Sequence, residues 1–145
     1  MADHAWLDRY LAAWVDHVRA GGPEGAPQLA TLSAFCAPDI VYEDVPSGSV
    51  FTGLDGLASM CGVAQMFFAE VEFVIVTRQV DDRSFAFEST GTGTSTGTLD
   101  DGDTPPRPFS LRAASVGTLN ADGLVNSHRD YWDMAGLLAQ IAAPA

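Results

Sequence analysis

The sequence predicts an α+β domain in which a curved antiparallel sheet wraps onto N-terminal helices and forms a cone-shaped pocket. Three observations lead there. Apolar residues in the first part of the chain recur at helical spacing. From Glu70 onward the texture changes to Val-, Phe- and Thr-rich runs bounded by turn signals. The connections between those runs are short, and short connections make antiparallel neighbours. Helices followed by strands, rather than alternating with them, is the α+β order. At 145 residues the chain reads as one domain over 1–145, long enough for an ordinary core.

The elements follow in order. Trp6, Leu7, Tyr10, Leu11, Trp14, Val15 and Val18 make the apolar stripe of a first helix, with Asp3 as its cap and Gly21-Gly22-Pro23 as its stop. A second, short helix spans Pro27 to Ala37, burying Leu29, Leu32 and Phe35, and Pro38 ends it. A strand from Ile40 to Val45 leads into the turn Pro46-Ser-Gly-Ser. A third helix, Leu54 to Phe68, carries Leu57, Met60, Cys61, Ala64, Phe67 and Phe68. Four strands follow: Glu70–Val80, Ser84–Leu99, Arg107–Leu119 and Leu124–Asp133. Met134 to Ile141 forms a last short helix, and Asp100–Pro106 reads as a hairpin tip. A cone of sheet and helices leaves a natural small-molecule pocket. The sheet's other face must meet something, and the two-sided apolar strands favour a homodimer.

Composition removes several functions. Nineteen acidic against seven basic side chains give a net charge of −12, the wrong sign for a nucleic-acid footprint or an anionic membrane. All seven basic residues are Arg. Without Lys there is no Schiff-base chemistry and no phosphate-binding GK[ST] loop. Cys36 and Cys61 form no CxxC and no Cys/His cluster, so neither a metal nor another cofactor is expected, and free thiols point to a cytoplasmic setting. No run approaches 18 apolar residues, and the N-terminal MADHAWLDRY lacks the basic region of a secretion signal.

Three stretches carry a family resemblance: RYLAAW at Arg9–Trp14, FCAPDIVYEDVPSGSVFTG at Phe35–Gly53, and SFAFEST followed by GLVNSHRDYWDMAGLLAQI. Together they resemble the ketosteroid-isomerase/SnoaL-like superfamily, whose fold is that of nuclear transport factor two. The resemblance spans almost the whole chain. It implies the cone-shaped fold, but one fold hosts many reactions.

The resemblance implies site residues one by one. Asp44, in the Tyr42-Glu43-Asp44 run, matches the general-base Asp of the isomerases. Strand alternation puts Ile40, Tyr42 and Asp44 on one face and Glu43 on the other. An apolar pocket mouth would raise the pKa of such a carboxylate; equally, an Asp before Pro46 fits a turn cap. Asp130, in HRDYWD, matches the acid/base Asp of SnoaL-like cyclases and limonene-type epoxide hydrolases. Asn126, His128, Asp130 and Trp132 alternate onto one face, a combination unusual for pure core. An Arg partner or a dimer interface would also account for Asp130. Tyr10 matches the helix-one Tyr that donates to the isomerase oxyanion. Tyr10 and Trp14 at i, i+4 are also what a core stripe produces. His128 would tune or relay to Asp130, and Arg112 and Arg129 fit a surface or interface.

Trp14, Tyr42, Phe85, Phe87, Ser89, Leu111, Ser115 and Trp132 are the expected substrate-binding walls. Three departures stand out. Ser115 replaces the protonated Asp of the isomerase oxyanion hole. Ser89 and Gly91 stand where the epoxide hydrolases place Arg-x-Asp. The strand Phe109–Leu119 lacks the cyclase His. The expectation is a cofactor-independent acid–base enzyme acting on a hydrophobic small molecule, a cyclase or isomerase of natural-product (polyketide-type) biosynthesis. Epoxide opening or hydrolysis, and a non-catalytic binding or scaffold module, are the alternatives.

Overall fold

The computed structural model describes residues 1–20, 27–96 and 105–142. Helix α1 spans His4–Ala20. Asp3 caps it: its Oδ1 accepts from the Trp6 amide at 2.8 Å. Leu7, Tyr10, Ala13, Trp14 and His17 make its buried stripe. Its expected stop at Gly21-Gly22-Pro23 lies outside the described residues. Helix α2, Pro27–Ser33, is shorter than the sequence suggests. Residues 36 and 37 belong instead to strand β1, Cys36–Asp44. The ring of Pro38 disfavours helical geometry at Ala37, and Cys36 finds a strand partner in Val125.

After the turn at Val45–Gly48 the structure adds a strand the sequence does not announce, β2, Ser49–Thr52. It folds back antiparallel on β1 and puts Phe51 beside Tyr42. Helix α3 runs over Gly53–Phe67 and buries Leu57, Met60 and Cys61. Strands β3 (Phe68–Val80), β4 (Ser84–Ser95), β5 (Pro108–Leu119) and β6 (Val125–Trp132) follow, then helix α4, Met134–Ala142. The outer part of the expected Ser84–Leu99 strand and most of the Asp100–Pro106 tip lie outside the described residues.

The six strands form one open, curved sheet in the order β2-β1-β6-β5-β4-β3. This is the expected α+β class, with one addition to its antiparallel plan: β1 runs parallel to β6. That pairing sets Tyr42 beside His128 and Asp44 beside Asp130. A bulge between Val125 and Ser127 breaks the alternation at the start of β6. Asn126 therefore leaves the face of His128, Asp130 and Trp132, contrary to the simple parity of the sequence, and bonds Thr118 Oγ1 instead. Arg112, Arg129, Thr90 and Thr92 are exposed on the outer face, with Val41, Val74, Val76 and Tyr131. No helix among the described residues is long and apolar enough to cross a membrane.

The main core joins α1, α2 and α3 to β1 and the Phe85 end of β4; a smaller cluster of Phe109, Leu137 and Ile141 seats α4 on β5. Gly117 on β5 is what lets the ring of Phe85 lie flat against the sheet. A Cβ there would collide with that ring and approach the Ser127 carbonyl oxygen to 2.6 Å. Gly117→Ala is expected to destabilise the fold by about 1–3 kcal/mol, as overpacking does. A thermal melt should show a drop of several degrees; an unchanged melting temperature would mean that Phe85 can move aside freely.

Candidate active site

A cavity of about 350 Å³ opens between the helices and the concave face of the sheet. Its wall is mostly apolar, with Phe73, Phe87, Phe109, Leu111 and Trp132 from the sheet and Met60, Val63 and Phe67 from α3. The helix α4 residues Met134, Leu137 and Leu138 complete it. Polar groups gather at one side, where β1, β5 and β6 run side by side.

Asp130 is the centre of that polar group. Its side chain is 26% exposed and lines the cavity. Oδ1 accepts from Ser115 Oγ at 2.6 Å and from His128 Nε2 at 2.8 Å; Oδ2 accepts from the Tyr42 hydroxyl at 2.6 Å. The donors come from β5, β6 and β1, so three strands converge on one carboxylate. Burial pushes its pKa upward. The electrostatic pull of His128 and the hydrogen bonds from His128, Ser115 and Tyr42 outweigh that and hold it below the usual carboxylate range. No Arg pairs with it: among the described residues the group that pairs with it as a cation, when protonated, is His128.

Behind Asp130 the network continues inward. His128 is 3% exposed, and its Nδ1 lies 2.8 Å from the Tyr10 hydroxyl. With Nε2–H directed at the carboxylate, the contact holds in both charge states: Tyr10 donates to Nδ1 of a neutral ring and accepts from Nδ1–H of the imidazolium. Burial above all keeps the Tyr10 phenol well above its ordinary pKa, with the nearby Cys36 and Asp130 adding to the effect. The same holds for Tyr42, where burial leads and the Asp130 charge follows. Both tyrosines stay protonated near neutrality, and Tyr42 donates to Asp130.

Two sequence expectations change here. Tyr10, expected to donate to a ligand oxyanion, is fully buried, does not line the cavity, and spends its hydroxyl on His128. Phe85, expected as a pocket wall, lies one layer deeper, packed edge-on against Tyr10 and His128. Helical and strand parity give the face of a residue but not its depth. Trp14, Tyr42, Phe87, Ser89, Leu111, Ser115 and Trp132 line the cavity, as do Asp44, His128 and Asp130.

Asp44 stands apart from the Asp130 network. Its Oδ1 accepts from Trp132 Nε1 at 2.5 Å and its Oδ2 from Ser47 Oγ at 2.5 Å. Both of the roles open in the sequence are thus present together: it holds the turn, and it faces the cavity. Ser47 and Ser49 at the mouth, Phe51 on β2, and the α3 and α4 walls were missed in the sequence. The apolar stripe of α3 and the shared parity of Phe109, Leu111, Ala113 and Ser115 were the available signals. Among the described residues, no group of three or more His, Cys, Asp and Glu is placed to hold a metal.

The profile of the SnoaL-like domain family matches residues 7–128. No curated protein sequence matches the chain. Among solved structures, TsrD from Streptomyces laurentii is 18% identical, with a TM-score of 0.76, 99% of this chain and 100% of that one being covered. A candidate SnoaL-like polyketide cyclase from Jannaschia sp. CCS1 is 19% identical, with a TM-score of 0.72 and 95% and 94% covered. An epoxide hydrolase of LEH-like type from M. tuberculosis is 19% identical, with a TM-score of 0.63 and 92% and 86% covered. At these identities the likeness is one of fold.

The depressed Asp130 pKa has a consequence for stability. Its unfolded value is about 4, so the ionised form favours the fold above that pH, and the contribution is lost as pH falls through the lower folded value. Asp130→Asn is expected to lower the urea midpoint at pH 7 and to lower it progressively less on acidification below pH ~4. A gap between wild type and variant that does not change with pH would mean that Asp130 ionisation does not contribute.

Proposed function

This chain belongs to the SnoaL-like domain family, and from that premise we propose that it is a cofactor-independent acid–base enzyme acting on a hydrophobic carbonyl compound, as a cyclase or isomerase of polyketide-type metabolism. The observation that supports this best is Asp130: an ionised carboxylate, partly open to an apolar cavity and aimed by donors from three strands. A group held in this way is ready to take a proton without rearranging.

The chemistry follows from the acidity. Held below the usual carboxylate range, Asp130 is a weak base, so it suits a carbon acid that is itself easily ionised, such as a C–H flanked by two carbonyls. Once protonated, the same carboxyl is a strong acid, because Ser115, His128 and Tyr42 all favour its anion. It then returns the proton to the oxygen or carbon that develops charge in the next step. His128 and Tyr10 are positioning residues that orient Asp130 from behind. Asp44 holds Trp132 at the cavity mouth and supplies a second negative charge there.

The printed name of the Jannaschia neighbour is in line with a cyclase. The M. tuberculosis neighbour brings epoxide hydrolysis into consideration. Against it, Ser89 and Gly91 occupy the positions of the Arg-x-Asp pair, and no Arg lines the cavity among the described residues. Isotope-labelled water separates the two: a hydrolase transfers its label into a diol, and a cyclase need not. A binding module would hold ligands equally well without its carboxylates. The exposed Val41, Val74, Val76 and Tyr131 on the outer sheet face support a homodimer as part of the proposal. A cytoplasmic setting, in keeping with two free thiols, belongs to it too.

Replacing Asp130 with Asn is expected to slow proton exchange of a 1,3-dicarbonyl probe by ~10²–10⁴-fold, followed by NMR in deuterated water. Exchange at the wild-type rate would remove Asp130 from the mechanism. Tyr42→Phe deletes one donor to the carboxylate. The acid limb of its kcat/KM profile should therefore move to higher pH, since the anion loses support. A limb that stays in place would mean that another group titrates.

A further inference from the structure

Five polar side chains are buried among the described residues: His17, Ser89, Ser95, Ser115 and His128. Four have partners. His17 Nε2 meets the Leu57 carbonyl, Ser95 Oγ accepts from the Arg107 amide, and Ser115 and His128 serve Asp130. Ser89 is the exception. It is 4% exposed and lines the cavity, and its hydroxyl bonds to nothing among the described residues. Its strand neighbours are apolar: Phe87 and Gly91 flank it on β4, and Ala113 of β5 and Ile75 of β3 are its cross-strand partners. A hydroxyl set in an apolar wall is unfavourable unless something bonds to it. Trp14 Nε1, His17 Nδ1, Arg78 Nε and Arg107 Nε also lack partners, but those atoms are sealed from the cavity. Ser89 Oγ is open to the cavity.

We propose that Ser89 is the distal anchor of the substrate, hydrogen-bonding a carbonyl or hydroxyl oxygen at the far end of an otherwise apolar fused-ring molecule. This rests on the acid–base reading of Asp130 and names what the substrate must carry. The register fixes the separation. Ser89 is level with Ala113 and, through it, with Trp132, one same-face position along the sheet from Asp130. Two strand spacings across and two residues along place the Cα atoms of Ser89 and Asp130 about 12 Å apart. Allowing one hydrogen-bond length at each end leaves about 6 Å between the reacting carbon and the anchored oxygen. Phe87, Ala113, Ser115 and Trp132 lie between the two ends, and their polar groups are already taken, Ser115 Oγ by Asp130 and the Trp132 N–H by Asp44. A rigid fused bicyclic frame spans that length and holds both ends without ordering a flexible chain.

The test compares 2-tetralone with 6-hydroxy-2-tetralone, whose hydroxyl lies directly in line with the acidic C1 carbon and at close to that separation. Kd is read from quenching of the tryptophan fluorescence, in wild type and in Ser89→Ala. Wild type is expected to bind the hydroxylated ketone ~3–10-fold more tightly, the effect of one hydrogen bond. Ser89→Ala should lose that preference while its Kd for 2-tetralone stays unchanged. A preference that survives in Ser89→Ala overturns the anchor, and so does failure of wild type to bind either ketone. Deuterium exchange of a 1,3-dicarbonyl probe, measured alongside, tests the Asp130 chemistry separately. A Ser89-dependent preference without exchange keeps the anchor and removes the acid–base step; exchange with no such preference does the reverse.

Discussion

A carboxylate in the wall of an apolar cavity is tolerable only when its oxygens are hydrogen-bonded, and much of this site follows from meeting that condition at Asp130. The donors cannot all come from one strand, because neighbours on a strand's face lie too far apart to surround a single side chain. They come from three strands, and this requires the parallel pairing of β1 with β6. Without it Tyr42 would not stand beside His128, and Oδ2 of Asp130 would have no partner. The turn at Val45–Gly48, the return of β2 and the placement of Asp44 all follow from where β1 has to run.

The same condition shapes the layer beneath. His128 can serve Asp130 only if its other nitrogen is satisfied in the core, and α1 supplies Tyr10 for that. Tyr10 and His128 are in turn packed by Phe85, and Phe85 fits because β5 has a glycine beneath its ring. The aromatic cluster around His128 thus does the work of a rigid mount. Its rings leave the imidazole little freedom to turn away from the carboxylate.

How much of this was legible in the sequence differs from level to level. The α+β order, the apolar stripe of α1 and the four long strands are periodic signals and could be read directly. So could the shared face of His128, Asp130 and Trp132, because strand alternation depends on nothing but spacing. What alternation cannot register is a bulge. One extra residue at Asn126 turned that side chain to the other face, where it meets Thr118. Depth was equally hidden: Tyr10 and Trp14 lie on one stripe, yet only Trp14 reaches the cavity. The Asp130 pKa was hidden for a different reason. A lone carboxylate in an apolar pocket should rise, and only the partners that β1 and β5 bring from distant parts of the chain reverse the sign. Strand β2 escaped notice because Ser49–Thr52 is four residues long and begins in turn chemistry.

The two ends of the cavity are unlike in a way that bears on orientation. At the Asp130 end Ser115, Tyr42, His128 and Trp132 already have partners, and the unpaired Trp14 N–H is sealed away, so a ligand gains little there except by proton transfer itself. At the Ser89 end one hydroxyl is free and its surroundings are apolar. A substrate with a single polar group remote from its reacting carbon would therefore be bound in one direction only. Reversed, that group would meet the Asp130 end, where the hydrogen-bonding groups facing the cavity are already paired. Binding energy spent at the remote end then holds the acidic carbon at the carboxylate, where it lowers the barrier instead of merely tightening the complex.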